Sequence, residues 1–120
     1  MATHIDFGKL GEQLAEYFLV EKGYTILHRN WRHSRYEIDI VALKDDLPHF
    51  VEVKTRASDW FAPPQVNIDL RKRRQLARAA REYRRLFELE NEPYRFDVVT
   101  IVLDDLTSPR VDLLRDYFTR

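Results

Sequence analysis

The chain has 120 residues, 44% hydrophobic and 12% aromatic, which suits a single domain over residues 1–120 with a packed core. There is no cysteine, which excludes disulfides and thiolate metal sites, and no stretch approaches the roughly 20 apolar residues of a membrane span. Acids and bases balance at 20 each, so self-repulsion does not favour disorder; the first ten residues carry Asp6 and Lys9 and no apolar run, so no secretion signal is expected and a soluble cytoplasmic protein is the default.

Residues 6–22 predict a helix, because Phe7, Leu10, Leu14 and Phe18 recur at spacings of three and four and form one apolar stripe. Gly23 is a natural stop after it. Residues 24–28 are a short β-prone run, and the basic, polar residues 30–36 read as a turn or strand edge. Residues 37–43 read as a strand, 44–48 as a loop, and 49–55 as a second strand, together a hairpin. Residues 57–66 hold Trp60, Phe61, Pro63 and Pro64 and read as a loop. Asp69 can cap a second helix running to about Leu89, residues 96–103 form a further strand, and residues 111–118 a final strand or short helix. The order αβββαβ, plus that C-terminal strand or short helix, is a mixed α/β layer rather than a regular βαβ winding.

Side chains alternate along a strand, so Glu37, Asp39, Val41 and Leu43 are expected on one face, with Ile38, Ile40 and Ala42 on the other. On the next strand Phe50, Glu52 and Lys54 share a face opposite Val51 and Val53. If the hairpin brings its polar faces together, three carboxylates and an ammonium converge beside apolar residues. Clustered, partly buried carboxylates repel and resist ionisation. A hard divalent cation relieves both problems, and oxygen ligands suit Mg²⁺ or Mn²⁺. The four histidines, His4, His28, His33 and His49, show no ligand spacing and read as structural or surface residues. Alternating charge also marks ordinary amphipathic hairpins with one face in water, and the pattern alone leaves that alternative open.

The second predicted helix is strongly basic: Arg71 to Arg85 holds eight Lys or Arg and one acid, a local +7. Arg71, Arg74, Arg78, Arg81 and Arg85 follow spacings of three and four, and Leu76, Ala80, Tyr83 and Phe87 form the opposite stripe. The arginines therefore face water, either as a solvated surface or as phosphate contacts. Lys72 falls instead on the core side, in line with Leu76, Ala79 and Tyr83, where an unpaired charge is costly. Near the helix start it can point toward the carboxylates or a phosphate. Arg56, with Arg29, Arg32 and Arg35, can rim a nucleic-acid groove, and Trp60 and Phe61 can stack on bases or anchor their loop. Asp97, on a buried strand, is expected to be structural, with Arg95 as the available arginine on the same face.

Asp39, twelve further residues, and then Glu52-Val53-Lys54 resemble the PD-(D/E)XK nuclease signature. Gly8 to Glu12, Gly23-Tyr24, Arg29-Asn30, Glu37 to Asp39, Val51 to Arg56, Lys72 and Arg95 to Val99 together resemble the YraN-like family of predicted endonucleases, itself similar to archaeal Holliday-junction resolvases. The resemblance covers about residues 8–103. It departs at Tyr36, where the family usually has glycine. It implies a restriction-endonuclease-like mixed β-sheet flanked by helices and a Mg²⁺- or Mn²⁺-dependent endonuclease acting on DNA, with branched or structured DNA as the substrate. Asp39 and Glu52 would then be metal ligands, joined by the Val53 carbonyl, with Lys54 the catalytic lysine and Glu12 a helix-borne member of the site. Glu37 either ligates or flanks the ion. Lys72, Arg56, Arg71, Arg74, Arg78 and Arg81 would contact nucleic acid, and cutting two strands would call for a homodimer. The alternative is a nucleic-acid-binding or protein-interaction module that keeps the scaffold without cleavage.

Overall fold

The computed structural model describes residues 6–57 and 69–115. Trp60, Phe61, His4 and most of the expected 57–66 loop lie outside that range. The order is α1 (Phe7–Glu21), β1 (Thr25–His33), β2 (Tyr36–Lys44), β3 (Leu47–Arg56), α2 (Leu70–Leu86), β4 (Arg95–Val102) and β5 (Arg110–Leu114). The strands form one sheet in sequence order, antiparallel except for the parallel β3–β4 pair that α2 bridges. The mixed α/β class and the αβββαβ order hold, and the last element is a strand. Among the described residues no helix is long and apolar enough to cross a membrane.

Both helices start and stop where local chemistry dictates. Asp6 accepts from the Lys9 N–H at 3.0 Å and Asp69 from the Lys72 N–H at 2.8 Å, each satisfying an orphan donor of the first turn. At the end of α1, Gly23 (φ 94°) lets the Tyr24 N–H reach the Leu19 carbonyl at 2.9 Å and its own N–H reach Val20 at 3.0 Å, a Schellman turn. Glu88 (φ 56°) plays that part after α2, with Leu89 N–H on the Arg84 carbonyl, so α2 ends at Leu86 rather than near Leu89.

Two hairpins are tighter than the sequence suggests. Residues 30–36, expected to be a turn or strand edge, are both: β1 runs on to His33 and the chain reverses at Ser34 (φ 56°) and Arg35. The expected loop at 44–48 shrinks to Asp45 and Asp46, both at positive φ (53° and 61°). That is the turn conformation whose twist matches the strands, and aspartate tolerates it well.

The sheet carries a core on each face. Trp31, Ile38, Val41, Phe50, Phe96 and Val98 pack with Leu76, Ala79, Ala80 and Tyr83 of α2. Ile40, Ala42, Val51, Val99, Ile101 and Tyr24 pack with Ala15 and Leu19 of α1. The buried line of α1 is Gly11, Ala15 and Leu19, flanked by half-buried Leu10 and Leu14, whereas Phe7 is exposed. The expected stripe is thus rotated toward the small residues, because α1 lies very close to β3. A Cβ added at Gly11 would sit 1.9 Å from Oγ1 and 2.8 Å from Cβ of Thr55.

Gly11→Ala should therefore destabilise the fold by about 1–3 kcal/mol through overpacking, despite alanine's better helix propensity. Urea unfolding measures this. The added Thr55→Ala change should recover part of the loss, and a neutral or stabilising Gly11→Ala would contradict the close approach.

Candidate active site

The site lies where two strands part. β2 pairs with β3 only from Ile40 to Lys44. Continuing that register would set Asp39 opposite Glu52, but the ladder has stopped. The expected alternation also breaks here: Ile38 and Val41 face α2 while Ile40 and Ala42 face α1. On the paired strand the matching irregularity is Asn30, at φ 47°. Asp39 fills the gap, its Oδ2 accepting the Val53 N–H at 2.9 Å.

An open cavity of about 680 Å³ results. It is lined by Glu37, Asp39, Glu52 and Lys54 from the two strands and by Asp6, Lys9 and Glu12 from the start of α1. Val53, Thr55, Asn30 and Arg32 complete the wall. Lys72 arrives from α2, its Nζ 3.6 Å from Glu52 Oε2. The structure therefore brings Glu12, Glu37, Asp39, Glu52, Lys54 and Lys72 together from four elements. Glu37 sits at the rim, 3.4 Å from the Arg32 guanidinium. Arg56 lies beyond the cavity at the end of β3. Arg71, Arg74, Arg78 and Arg81 are exposed on α2, and Arg78 also lines a neighbouring groove with Lys72.

Tyr36 does not obstruct the cavity. Its backbone is ordinary strand, and its ring packs against the α2-side core and lines that neighbouring groove. Nothing in this geometry requires glycine.

Burial drives the electrostatics. Glu52 is buried, and its pKa is pushed up to about 7, first by desolvation, then by the charge of Asp39 and by a hydrogen bond to it; Lys72 and Lys54 only partly offset this. Glu12 is also raised, by partial burial and then by Asp39, against a hydrogen bond from Asn30. Among the described residues no three His, Asp or Glu side chains are already gathered as a metal cage. The donor set still fits a hard cation: Mg²⁺ commonly uses one or two carboxylates and retains waters. Asp39 and Glu52 are two oxygen-bearing groups close enough for Asp39 to raise the Glu52 pKa, in a wide, solvent-open cavity.

Two features escaped the sequence. Asn30 is a wall residue that the sequence offered only as part of the Arg29-Asn30 match, with no role attached. Asp97 is buried against His49 Nδ1 at 2.6 Å and the Tyr24 hydroxyl at 3.2 Å, rather than resting on Arg95, whose guanidinium donates to the Tyr94 carbonyl. Burial and Asp97 raise the Tyr24 pKa to about 12. His28 bonds the Tyr83 hydroxyl at 2.8 Å and His33 approaches Glu82 at 3.5 Å, both structural roles, as expected.

An open mixed sheet, a helix on each face and an acidic cleft between diverging strands define an α/β protein with a carboxylate-lysine site. Residues 11–101 match the family described as "Uncharacterised protein family UPF0102", and the chain belongs to it. A UPF0102 protein of Bacteroides thetaiotaomicron is 42% identical over 118 residues, covering 98% of this chain and 96% of its own. One from Parabacteroides distasonis is 41% identical with the same coverage, and one from Chloroherpeton thalassium is 42% identical over 105 residues, covering 88% and 81%. The matched span holds Glu12, Asp39, Glu52, Lys54 and Lys72.

A carboxyl whose pKa rises on folding from 4.5 to about 7 favours the folded state when protonated, so its contribution is lost as pH rises through that window. In metal-free protein, Glu52→Gln should therefore match the wild type near pH 4.5 and exceed it in stability at pH 8, by up to about 3 kcal/mol. Denaturant melts at both pH values decide it; a pH-independent difference would mean that Glu52 is not strained by its neighbours.

Proposed function

We propose that this protein is a metal-dependent endonuclease of the PD-(D/E)XK type that hydrolyses phosphodiester bonds in DNA. The observation that carries this reading is the pairing of half-buried Asp39 with buried Glu52, with Lys54 on the same cavity wall: two carboxylates held close at the cost of one's ionisation. Asp39 and Glu52, with the Val53 backbone, would hold Mg²⁺ or Mn²⁺. A bound cation supplies neutralisation of the pair, polarisation of the phosphodiester and a lower pKa for the attacking water.

The protein's own residues supply the rest. Asp39 is fixed by the Val53 N–H, so one of its oxygens is already oriented by the backbone. Lys54 lines the cavity and can orient the water or stabilise charge that develops on the phosphate. Glu12, raised above the ordinary carboxylate range, is a better base than an exposed glutamate and faces the same cavity. Lys72 neutralises Glu52 in the free protein and stands ready to meet a phosphate oxygen once another cation takes that role. The exposed arginines of α2 give the flanking contacts to DNA. Branched or structured DNA follows from the resolvase resemblance and belongs to the same proposal.

Calorimetric titration with Mn²⁺ and nicking assays on linear, flapped and four-way DNA test it. Mn²⁺ should bind and support nicking. Asp39→Asn, which keeps an acceptor for the Val53 N–H, and Lys54→Ala should each lower nicking by about 10²-fold or more with the fold intact by circular dichroism. A protein that binds DNA but neither binds Mn²⁺ nor nicks any substrate would be a binding module.

The stripe gives a separate expectation. Replacing Arg74, Arg78 and Arg81 with glutamine should weaken duplex binding and flatten the slope of log K against log salt by about 2–3. An unchanged slope would make these arginines plain solvated surface.

A further inference from the structure

Beside the carboxylate cavity lies a second, more enclosed groove of about 300 Å³ between the β1–β2 hairpin and α2. Arg35, Lys72 and Arg78 supply three cations to its lining, against one carboxylate, Glu37, which already has Arg32 beside it. Tyr36, Gln75 and Leu76 form the remainder. The two cavities share Glu37 as a common wall, and the Lys72–Glu52 ion pair joins them. An acidic cleft thus opens directly onto a basic one.

Tyr36 gives the basic groove its chemistry. One part of the ring is anchored on the α2-side core, and the rest is half exposed in the groove. The Arg35 guanidinium stands over the ring, 5.8 Å from its centroid, so a flat partner on this face meets the ring and the cation together. A platform with three cations around it matches a nucleotide, a flat base joined to an anionic backbone. The volume is at the low end of small-molecule pockets, on the scale of one nucleotide and far too small for a duplex.

We propose that this groove binds one unpaired nucleotide of a DNA strand next to the scissile bond, with its base stacked on Tyr36 and its phosphate met by Arg35 and Arg78. The inference deepens the nuclease reading and rests on it for the position of the scissile bond. It adds a substrate preference: DNA with a flap, gap or splayed end, whose base is free to leave the helix, fits this groove, and an intact duplex does not. Gln75, on the groove wall, offers an amide to base edges.

The test is fluorescence anisotropy with a short labelled oligothymidylate and a blunt duplex of equal length, with chelator present so that no cleavage occurs. Tyr36→Leu keeps an apolar anchor against the core and removes the aromatic face. It should weaken oligothymidylate binding about tenfold and leave duplex binding unchanged, while Tyr36→Phe retains both. Arg35→Gln with Arg78→Gln should flatten the single-strand salt slope by about 1.4. Unchanged oligothymidylate binding by Tyr36→Leu, or wild-type protein that does not bind the oligonucleotide, overturns the proposal. Mn²⁺ titration of the same variants separates the two readings. Loss of stacking with normal Mn²⁺ binding supports both, and a stacking effect in a protein that never binds Mn²⁺ leaves the groove standing and removes the nuclease.

Discussion

Past Ile40 the ladder between β2 and β3 stops, and the backbone N–H of Val53 faces a gap instead of a neighbouring carbonyl. A buried donor left unpaired costs on the order of 1–3 kcal/mol, so the gap must be filled by something that accepts. Asp39 does this with a side-chain oxygen at 2.9 Å. The same bond holds a carboxylate beside buried Glu52, where it would otherwise be repelled. The strain in the site and the integrity of the sheet therefore meet in one residue. Asn30, opposite the irregularity, and Gly11, against Thr55, are local adjustments that let β1 and α1 close around it.

Charge is arranged in layers around that point. Carboxylates line the cavity together with Lys54, Glu37 sits at the rim beside Arg32, Lys72 reaches in from α2, and the arginines of α2 lie outside it. A chain with no net charge thus presents a negative cleft within a positive surround. The second buried network, Asp97 with His49 and Tyr24, sits among the α1-side core, and its hydrogen bonds satisfy groups that would be costly alone.

Much of this was legible in the residues. Periodicity placed both helices, capping chemistry placed the start of α2, and the alternation of Phe50 to Lys54 survived intact because β4 pairs with β3 from His49 to Arg56. Lys72 was legible because a lysine in line with Leu76 and Tyr83 cannot be indifferent to its surroundings. The faces of β2 were not, since alternation assumes an unbroken ladder and β2 leaves its partner at Asp39. The buried line of α1 was missed because apolar size favoured Phe7 and Phe18, whereas the close approach to β3 selects small Gly11 and Ala15. The short turn at Asp45-Asp46 was read as a longer loop because polar residues mark both.

The single parallel pair in the sheet divides the site into a part joined by local contacts and a part joined across a long connection. β1, β2 and β3 join through tight hairpins, so their contacts are local and form early in a topology-limited search. β3 and β4 meet only after the chain has crossed over through α2, which carries Lys72. Asp39, Glu52 and Lys54 therefore meet through the hairpin's short-range contacts, whereas Lys72 reaches Glu52 only across the crossover.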